Sequence, residues 1–179
     1  KDCGSTHMER LCSFVRERED IALGLAFDGD ADRCLAVDER GELIDGDRLI
    51  AVFAKAMKAE GRLKGDTAVV TVMTNIGFLK FAEANGITVE TTKVGDRYVL
   101  ENMLQNDFSI GGEQSGHIIF KDYASTGDGQ LSGAMFAAVL AKTGEKASTL
   151  ASVMRVYPQT LLNITVTPEG KAKWESDPE

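Results

Sequence analysis

Hydrophobic and polar positions change period repeatedly along the chain, from alternating or continuous apolar runs to spacings of three and four residues. Apolar and alternating runs predict strands at 21–27, 34–37, 42–44, 67–73, 87–92, 108–110 and 118–120. Apolar residues three and four positions apart predict helices at 8–18, 47–61, 75–84, 98–104, 128–142 and 148–156. Strands that alternate with helices are typical of an α/β fold with a largely parallel sheet and right-handed crossovers.

Two local details of this pattern predict how elements meet. The turn residues at 38–41 predict a hairpin between the second and third strands. In the helix at 75–84, the pattern places Phe78, Leu79 and Ala82 on the inward face.

The pattern divides the chain into three parts. Residues 46–155 form an α/β unit of their own, whereas residues 1–45 hold too few apolar residues for a separate core and are interpreted as the end of a preceding domain. Residues 156–179 are interpreted as a linker and the first strand of a following domain, because residues 161–166 alternate. Since the chain starts at Lys1 and stops after Pro178 without finishing an element, we expect a fragment of a longer protein.

Composition and charge narrow the class of protein. The 179 residues carry a formal net charge of -8 and no basic stretch, which argues against a nucleic-acid or anionic-membrane partner. No apolar run approaches the roughly 20 residues that span a bilayer, and no signal peptide is recognisable, so we expect a cytoplasmic protein. The three cysteines lack metal-ligand spacing and are interpreted as reduced thiols, with Cys34 facing a core.

An acidic loop follows the first predicted strand and is the main candidate for chemistry. Asp28, Asp30 and Asp32 stand at alternate positions directly before Arg33. If the three carboxylates converge, each like-charge pair costs on the order of 4 kcal/mol at 4 Å, so the loop needs a cation. Hard oxygen ligands favour Mg²⁺ or Ca²⁺. The alternative is a solvated acidic turn with its carboxylates pointing outward.

A glycine-rich loop between two short strands is a candidate for binding a polyol. Glu113 accepts hydrogen bonds and Ser115 both donates and accepts, so the pair is suited to sugar hydroxyls; the alternative is a solvated polar turn. His117 begins the next strand and is either a general acid or base, or a hydrogen-bonded structural residue.

Two further segments stand at predicted helix starts. Gly95, Asp96 and Arg97 follow a strand, where a helix N-terminus attracts anions and Arg97 can pair with a phosphate; alternatively Asp96 is only an N-cap. The segment 125–129 is interpreted as a capped helix start.

These motifs, in this order, resemble those of the α-D-phosphohexomutases. The resemblance covers residues 1–166 and rests on the segments 3–7, 28–33, 94–98, 112–117 and 126–129. Family members have four domains around one cleft. The resemblance implies that residues 1–45 end domain 2, that residues 46–155 form domain 3, a three-layer α/β/α domain with a mixed sheet, and that residues 156–179 begin domain 4.

The resemblance also implies roles for individual residues. Asp28, Asp30 and Asp32 would bind Mg²⁺, and Arg33 would contact a phosphoserine. Glu113 and Ser115 would hold the sugar hydroxyls, and the loop of Gly95, Asp96 and Arg97 would lie over the substrate and help to select amino sugars. The implied reaction interconverts glucosamine 6-phosphate and glucosamine 1-phosphate through glucosamine 1,6-bisphosphate. No segment of this chain resembles the family's phosphoserine loop, so we expect no turnover by the chain alone.

Other interpretations remain open at this stage. A phosphomannomutase or phosphoglucomutase of the same family would share these motifs. Asp28 followed by Asp30 also fits a phosphatase that forms an aspartyl phosphate, and the spacing from Asp28 to Glu39 fits an EF-hand calcium loop. The phosphatase class continues into a helix after its loop, and an EF-hand needs helices on both sides. A non-catalytic module that forms a homodimer through apolar surfaces is the last alternative.

Overall fold

A computed structural model of the chain describes residues 4–162 and 165–167. The helices are α1 Glu9–Arg16, α2 Gly46–Ala59, α3 Ile76–Ala84, α4 Asp96–Asn106, α5 Gly129–Thr143 and α6 Ala147–Ala151. The strands are β1 Leu23–Phe27, β2 Cys34–Asp38, β3 Leu43–Ile44, β4 Thr67–Thr71, β5 Thr88–Thr92, β6 Ile110–Gly112 and β7 Ile118–Phe120. None of the helices in the part of the chain that the structure describes has the length and apolar composition of a membrane span.

The first 45 residues contain a three-stranded antiparallel sheet in the order β1-β2-β3. Strand β1 pairs with β2 over five residues, from Leu23 opposite Asp38 to Phe27 opposite Cys34. Helix α1 packs on this sheet, and Val15 is buried against β-strand residues that include Val37. The acidic loop therefore connects two paired strands, and its two ends are held next to each other.

The remaining strands form a mixed sheet in the order β5-β4-β6-β7, in which β4 runs parallel to both neighbours and β6 runs antiparallel to β7. Alternate residues of β4 face opposite layers. Val70 packs into the large core with α2, α3, α5 and α6, whereas Val69 packs with Val99 and Met103 of α4. The sheet is thus covered on both faces, and the predicted three-layer α/β/α fold is confirmed.

Three details of the sequence prediction are wrong. Strand β6 covers Ile110–Gly112 instead of 108–110, because a Cβ on Gly111 would lie 2.8 Å from side-chain atoms of Val99 and Met103. Gly111 lets α4 pack closely on the strand, and a Cβ on Gly112 would lie 2.5 Å from the backbone oxygen of His117, so both glycines belong to the strand. Helix α6 ends at Ala151, before the predicted 156.

The third difference concerns α3. Leu79 is 43% exposed, and Phe81 is buried beside Phe78 and Ala82 in its place. The strand predicted at 161–166 includes residues 163 and 164, which lie outside the described residues. Cys34 is fully buried, as predicted.

Candidate active site

A cleft of about 310 Å³ opens where the parallel strands of the mixed sheet end. Strand β4 leads to Thr71 and Met73, β5 leads to Val94, and β6 leads to Glu113. The carboxyl ends of parallel strands are the usual position of ligand sites in α/β folds. The cleft is lined by Arg33, Thr71, Met73, Val94, Glu113, Gln114 and Ser115.

Arg33 connects this cleft to the acidic loop. Asp28, Asp30 and Asp32 each present a carboxylate oxygen, and these three oxygens lie within 4.8 Å of one another. Oδ1 of Asp32 is buried and, among the described residues, has no hydrogen-bond partner. Three converging hard oxygen donors, one of them buried and unpartnered, fit a divalent cation such as Mg²⁺.

The charges in the loop are only partly balanced by Arg33. Its Nε lies 3.6 Å from Oδ2 of Asp28 and 3.8 Å from Oδ1 of Asp32. Burial raises the pKa of Asp32, and the nearby Asp28 carboxylate raises it further against the opposing effect of His117. Burial also acts to raise the pKa of Asp28, but hydrogen bonds from the Arg33 backbone N–H and from Asp32 outweigh it and leave that pKa lowered.

His117 is packed directly behind the acidic loop. Its side chain is 4% exposed, and its Nδ1 lies 3.0 Å from Oδ2 of Asp32. On the other side of the ring, the backbone N–H of Gly127 donates to Nε2 at 3.0 Å. The carboxylate of Asp96 is 4.0 Å from the same Nε2. The structure therefore places His117 as a buried, doubly hydrogen-bonded residue in contact with the loop.

Glu113 links the glycine-rich loop to the start of α4. Its Oε1 accepts a 3.0 Å hydrogen bond from the backbone N–H of Gly95. Gly95 has φ 129°, a conformation that favours glycine. Ser115 is exposed on the cleft wall beside Glu113. The structure thus brings Glu113 and Ser115 to one cleft that Arg33 also lines, and joins Glu113 to Gly95 by a hydrogen bond.

Arg97 is the predicted site residue that the structure places apart from this group. Its side chain is 81% exposed and forms a 2.8 Å ion pair with Glu101 one turn further along α4. The hydrogen bond to Glu101 raises the pKa of Arg97. Asp96 is exposed at the start of the same helix, with its carboxylate turned toward His117.

Sequence reasoning missed the glycines that bring these loops together. A Cβ on Gly46 would lie 2.1 Å from the backbone oxygen of Glu113, and the Gly46 N–H donates to the backbone oxygen of Gln114. The backbone N–H of Cys34 likewise donates to the oxygen of Gly116. The sequence shows Gly46 at the start of a helix and Gly116 in a glycine-rich loop, but neither position reveals what the glycine contacts.

A three-layer α/β/α domain with a polar cleft beside a cluster of carboxylates is typical of enzymes that bind phosphorylated substrates. Comparison with known sequences identifies the family. A model of the α/β/α domain III of the phosphoglucomutase/phosphomannomutase family matches residues 45–157. The chain belongs to this family, and the predicted resemblance is confirmed.

Individual relatives indicate a narrower group within this family. Phosphoglucosamine mutase from Acetivibrio thermocellus is 52% identical over 177 residues, which cover 99% of this chain and 39% of that protein. The enzyme of the same name from Bacillus subtilis is 52% identical over 170 residues, or 95% of this chain and 38% of that protein. The chain therefore spans less than half the length of these relatives.

Solved structures agree with the fold. A phosphoglucomutase/phosphomannomutase family protein from Burkholderia thailandensis superposes with a TM-score of 0.73 at 24% identity, over 88% of this chain and 34% of its own. An Aspergillus fumigatus N-acetylphosphoglucosamine mutase, solved with GlcNAc-6P and magnesium, gives a TM-score of 0.67 at 20% identity, over 88% of this chain and 38% of its own.

Proposed function

We propose that the chain supplies the metal-binding and sugar-binding parts of a Mg²⁺-dependent mutase that interconverts glucosamine 6-phosphate and glucosamine 1-phosphate. The observation that carries the proposal is the convergence of three carboxylates within 4.8 Å next to an arginine that lines a polar cleft. In this proposal Asp28, Asp30 and Asp32 hold the cation. When bound, Mg²⁺ supplies electrostatic stabilisation of a phosphoryl group during its transfer.

The chain's own residues would orient the substrate. Arg33 stands between the acidic loop and the cleft, where its guanidinium can bind the oxygens of the transferring phosphoryl group. Oε1 of Glu113 is held by the Gly95 N–H, which fixes the carboxylate so that its other oxygen can accept a sugar hydroxyl. Ser115 would hold a neighbouring hydroxyl. Correct placement of the acceptor hydroxyl is a large part of catalysis in phosphoryl transfer.

The proposed reaction has two balanced transfers. A phosphoserine outside this chain gives its phosphoryl group to the free hydroxyl of the substrate, which yields glucosamine 1,6-bisphosphate and a free serine. The serine then accepts the other phosphoryl group and releases the isomeric monophosphate. Glu113 and Ser115 can serve both halves if the sugar turns in the cleft between them.

The choice of an amino sugar rests on the relatives named phosphoglucosamine mutase. In the proposal, Gly95 and Asp96 cover the substrate and contribute to this selectivity, and Arg97 does so only if it leaves Glu101. A mutase for glucose or mannose phosphates is the second candidate, favoured by the family model that the chain matches. The family resemblance also implies a role in amino-sugar nucleotide and cell-wall precursor synthesis, and this role stays a prediction, as do the cytoplasmic location and a homodimer.

The two unrelated alternatives fit the geometry less well. The acidic loop is flanked by β1 and β2, so it has strands where an EF-hand has helices. The chain also continues into a strand after Asp32, where the aspartyl-phosphate phosphatases continue into a helix.

The experiment measures turnover by a full-length protein, in which this chain is joined to the domains that its relatives have and it lacks. We expect conversion of glucosamine 6-phosphate to be faster than that of glucose 6-phosphate, to require Mg²⁺, and to be undetectable with residues 1–179 alone. Glu113→Gln should lower kcat/KM by about 10- to 100-fold, because a charged hydrogen-bond acceptor is lost. Arg18→Ala, on an exposed surface remote from the cleft, is the control.

Two results would contradict the proposal. Equal or faster turnover of glucose 6-phosphate would favour the second candidate, and turnover that does not depend on Mg²⁺ would remove the assigned role of the acidic loop.

A further inference from the structure

The hydrogen bonds on both sides of His117 determine which ring nitrogen carries the proton. A backbone N–H can only donate, so Nε2, which lies 3.0 Å from the Gly127 nitrogen, is the acceptor. The proton of the neutral ring is therefore on Nδ1, and Nδ1–H donates to Oδ2 of Asp32 at 3.0 Å. This contact occupies Oδ2 and leaves Oδ1 of Asp32, which has no hydrogen-bond partner among the described residues and lies 3.8 Å from Nε of Arg33, as the oxygen available to the proposed cation.

The turn before α5 packs directly against the His117 ring. A Cβ on Gly127 would lie 2.6 Å from two atoms of the His117 ring and 2.7 Å from a third, so only glycine allows the ring to occupy this position. Gly127 does not have a positive φ, so the requirement for glycine comes from the ring contact and not from the backbone.

A second contact from the same turn supports the backbone of the acidic loop. The N–H of Gly129 donates to the oxygen of Ala31 at 2.9 Å, and a Cβ on Gly129 would lie 2.4 Å from the oxygen of Arg33. Ala31 has φ 60°, a left-handed conformation that costs a residue with a side chain roughly 1–2 kcal/mol. The contact with Gly129 holds this strained residue, and its conformation lets Asp30 and Asp32 converge.

We propose that His117, Gly127 and Gly129 are positioning residues for the metal loop, which act by fixing the Asp32 carboxylate and the Ala31 backbone before the cation binds. The inference rests on the proposed function, because it takes Asp28, Asp30 and Asp32 as the metal ligands. It gives Gly127 and Gly129 a role beyond starting a helix. It also gives His117 a role that requires no proton transfer to substrate.

The first test is metal affinity measured by calorimetry with Mg²⁺, using the chain of 179 residues. Gly127→Ala should weaken binding by about 10- to 100-fold, the usual effect of removing the hydrogen-bond partner of a metal ligand, because the added methyl group displaces the ring. Ser125→Ala, an exposed change two residues away, should leave the affinity unchanged. Circular dichroism of both variants checks that they are folded.

The second test separates the hydrogen bond from the packing of the ring. His117→Leu removes the donor to Asp32 and should weaken Mg²⁺ binding by a similar factor. In His117→Asn the side-chain NH₂ stands where Nδ1–H was, so this variant should recover most of the affinity, which a purely structural role would not explain. His7→Leu, at the exposed second histidine, is the matched control.

The third test needs no substitution. The sequence has two histidines, so the imidazole ¹⁵N shifts of His117 can be assigned against those of His7, and they should report a proton on Nδ1. A proton on Nε2 would overturn the inference. Equal Mg²⁺ affinity of Gly127→Ala, His117→Leu and the unsubstituted chain would also overturn it while leaving the proposed metal site intact. No Mg²⁺ binding by the unsubstituted chain would instead remove the metal site itself, and the inference with it.

Discussion

Asp47 is a fully buried carboxylate in the first turn of α2. Burial raises its pKa to about 6 and the nearby charge of Asp45 adds to the rise, whereas the N–H of Asn75, 2.7 Å from Oδ2, and the hydroxyl of Thr74 lower it. Asn75 also bonds the backbone of Tyr157, so the carboxylate lies at a junction between α2, α3 and the segment that follows α6.

The raised pKa of Asp47 predicts a specific pH dependence of stability. Between pH 4 and 6 the folded state binds more protons at Asp47 than the unfolded state, so its contribution to the unfolding free energy falls as pH rises. The difference between the pKa of about 6 in the folded state and the ordinary value of 3.8 corresponds to a loss on the order of 3 kcal/mol across this window. Urea unfolding of Asp47→Asn should therefore show a stability gain over the unsubstituted chain that grows from pH 4 to 6 and is constant above.

The control for this prediction is Asp20, for which the pH dependence of stability has the opposite sign. Hydrogen bonding to Arg18 lowers the pKa of Asp20, so this exposed carboxylate contributes stability above its unfolded pKa, and Asp20→Asn should lose stability at neutral pH relative to acid. A difference between Asp47→Asn and the unsubstituted chain that does not vary with pH would contradict the assignment for Asp47.

Individual residues were predictable where their signal is local. Asp28, Asp30 and Asp32 are neighbours in sequence, so their alternate spacing alone indicated a shared loop. The hydrogen bond between Asp32 and His117 joins residues 85 positions apart, and no local pattern records it. For the same reason Asp47 looked like an ordinary residue at a helix start, although its burial depends on Asn75 in another element.

Elements were predicted well where hydrophobic periodicity extends over several turns or strand residues. Helix α2 and strand β4 lie within their predicted ranges or within one residue of them, because the apolar residues of α2 face the large core and β4 is a continuous run that is buried on both faces. Strand β6 was misplaced because glycine is typical of loops, whereas Gly111 is a strand residue selected by the closeness of α4. The bounds of β6 depend on its packing against α4, and hydrophobic periodicity contains no information about that packing.

At the scale of elements, the start of α3 gives a sharp stability prediction. A Cβ on Gly77 would lie 1.8 Å from the backbone oxygen of Arg155, so α3 and the segment after α6 pack closely only with glycine there. Gly77→Ala should lower the unfolding free energy by about 1–3 kcal/mol through overpacking. Urea denaturation measures this change.

Gly29→Ala is the matched substitution. No atom outside its chain neighbours lies within 4 Å of the Cβ that it would add, and Gly29 does not have a positive φ. Stability should be unchanged or higher by about 0.4–1 kcal/mol, because alanine restricts the unfolded chain. Equal effects of the two substitutions would show that the contact with Arg155 is not tight.

For the whole molecule, the proposed metal site predicts that Mg²⁺ stabilises the folded chain. At a concentration ten times Kd, the gain is about 1.4 kcal/mol if only the folded state binds. This gain corresponds to a rise in Tm of about 3 to 6 °C for a chain of this size. Asp30→Asn, at an exposed candidate ligand, should abolish most of the rise. A rise that persists in this variant would show that Mg²⁺ binds elsewhere.

The overall architecture followed from the alternation of strands and helices, but the contact between the two sheets did not. The three-stranded and four-stranded sheets meet through a bridge between Arg33 and His117 and a hydrogen bond from Cys34 to Gly116. The residues of each pair are more than eighty positions apart in the sequence. The hydrophobic pattern around each residue describes only its own sheet, so it does not predict the contact between the sheets.

The bridge between Arg33 and His117 also limits how such proteins can be recombined. A chimera that joins residues 1–45 of one relative to residues 46–155 of another cuts the chain within a continuous hydrogen-bonded path from Gly127 through His117 to Asp32. A crossover point in the turn before α2 would therefore take Asp32 from one parent and His117, its hydrogen-bond donor, from the other. Chimeras of this family should retain their cation affinity only when one parent supplies the equivalent of Asp32 and the other supplies the equivalents of His117 and Gly127.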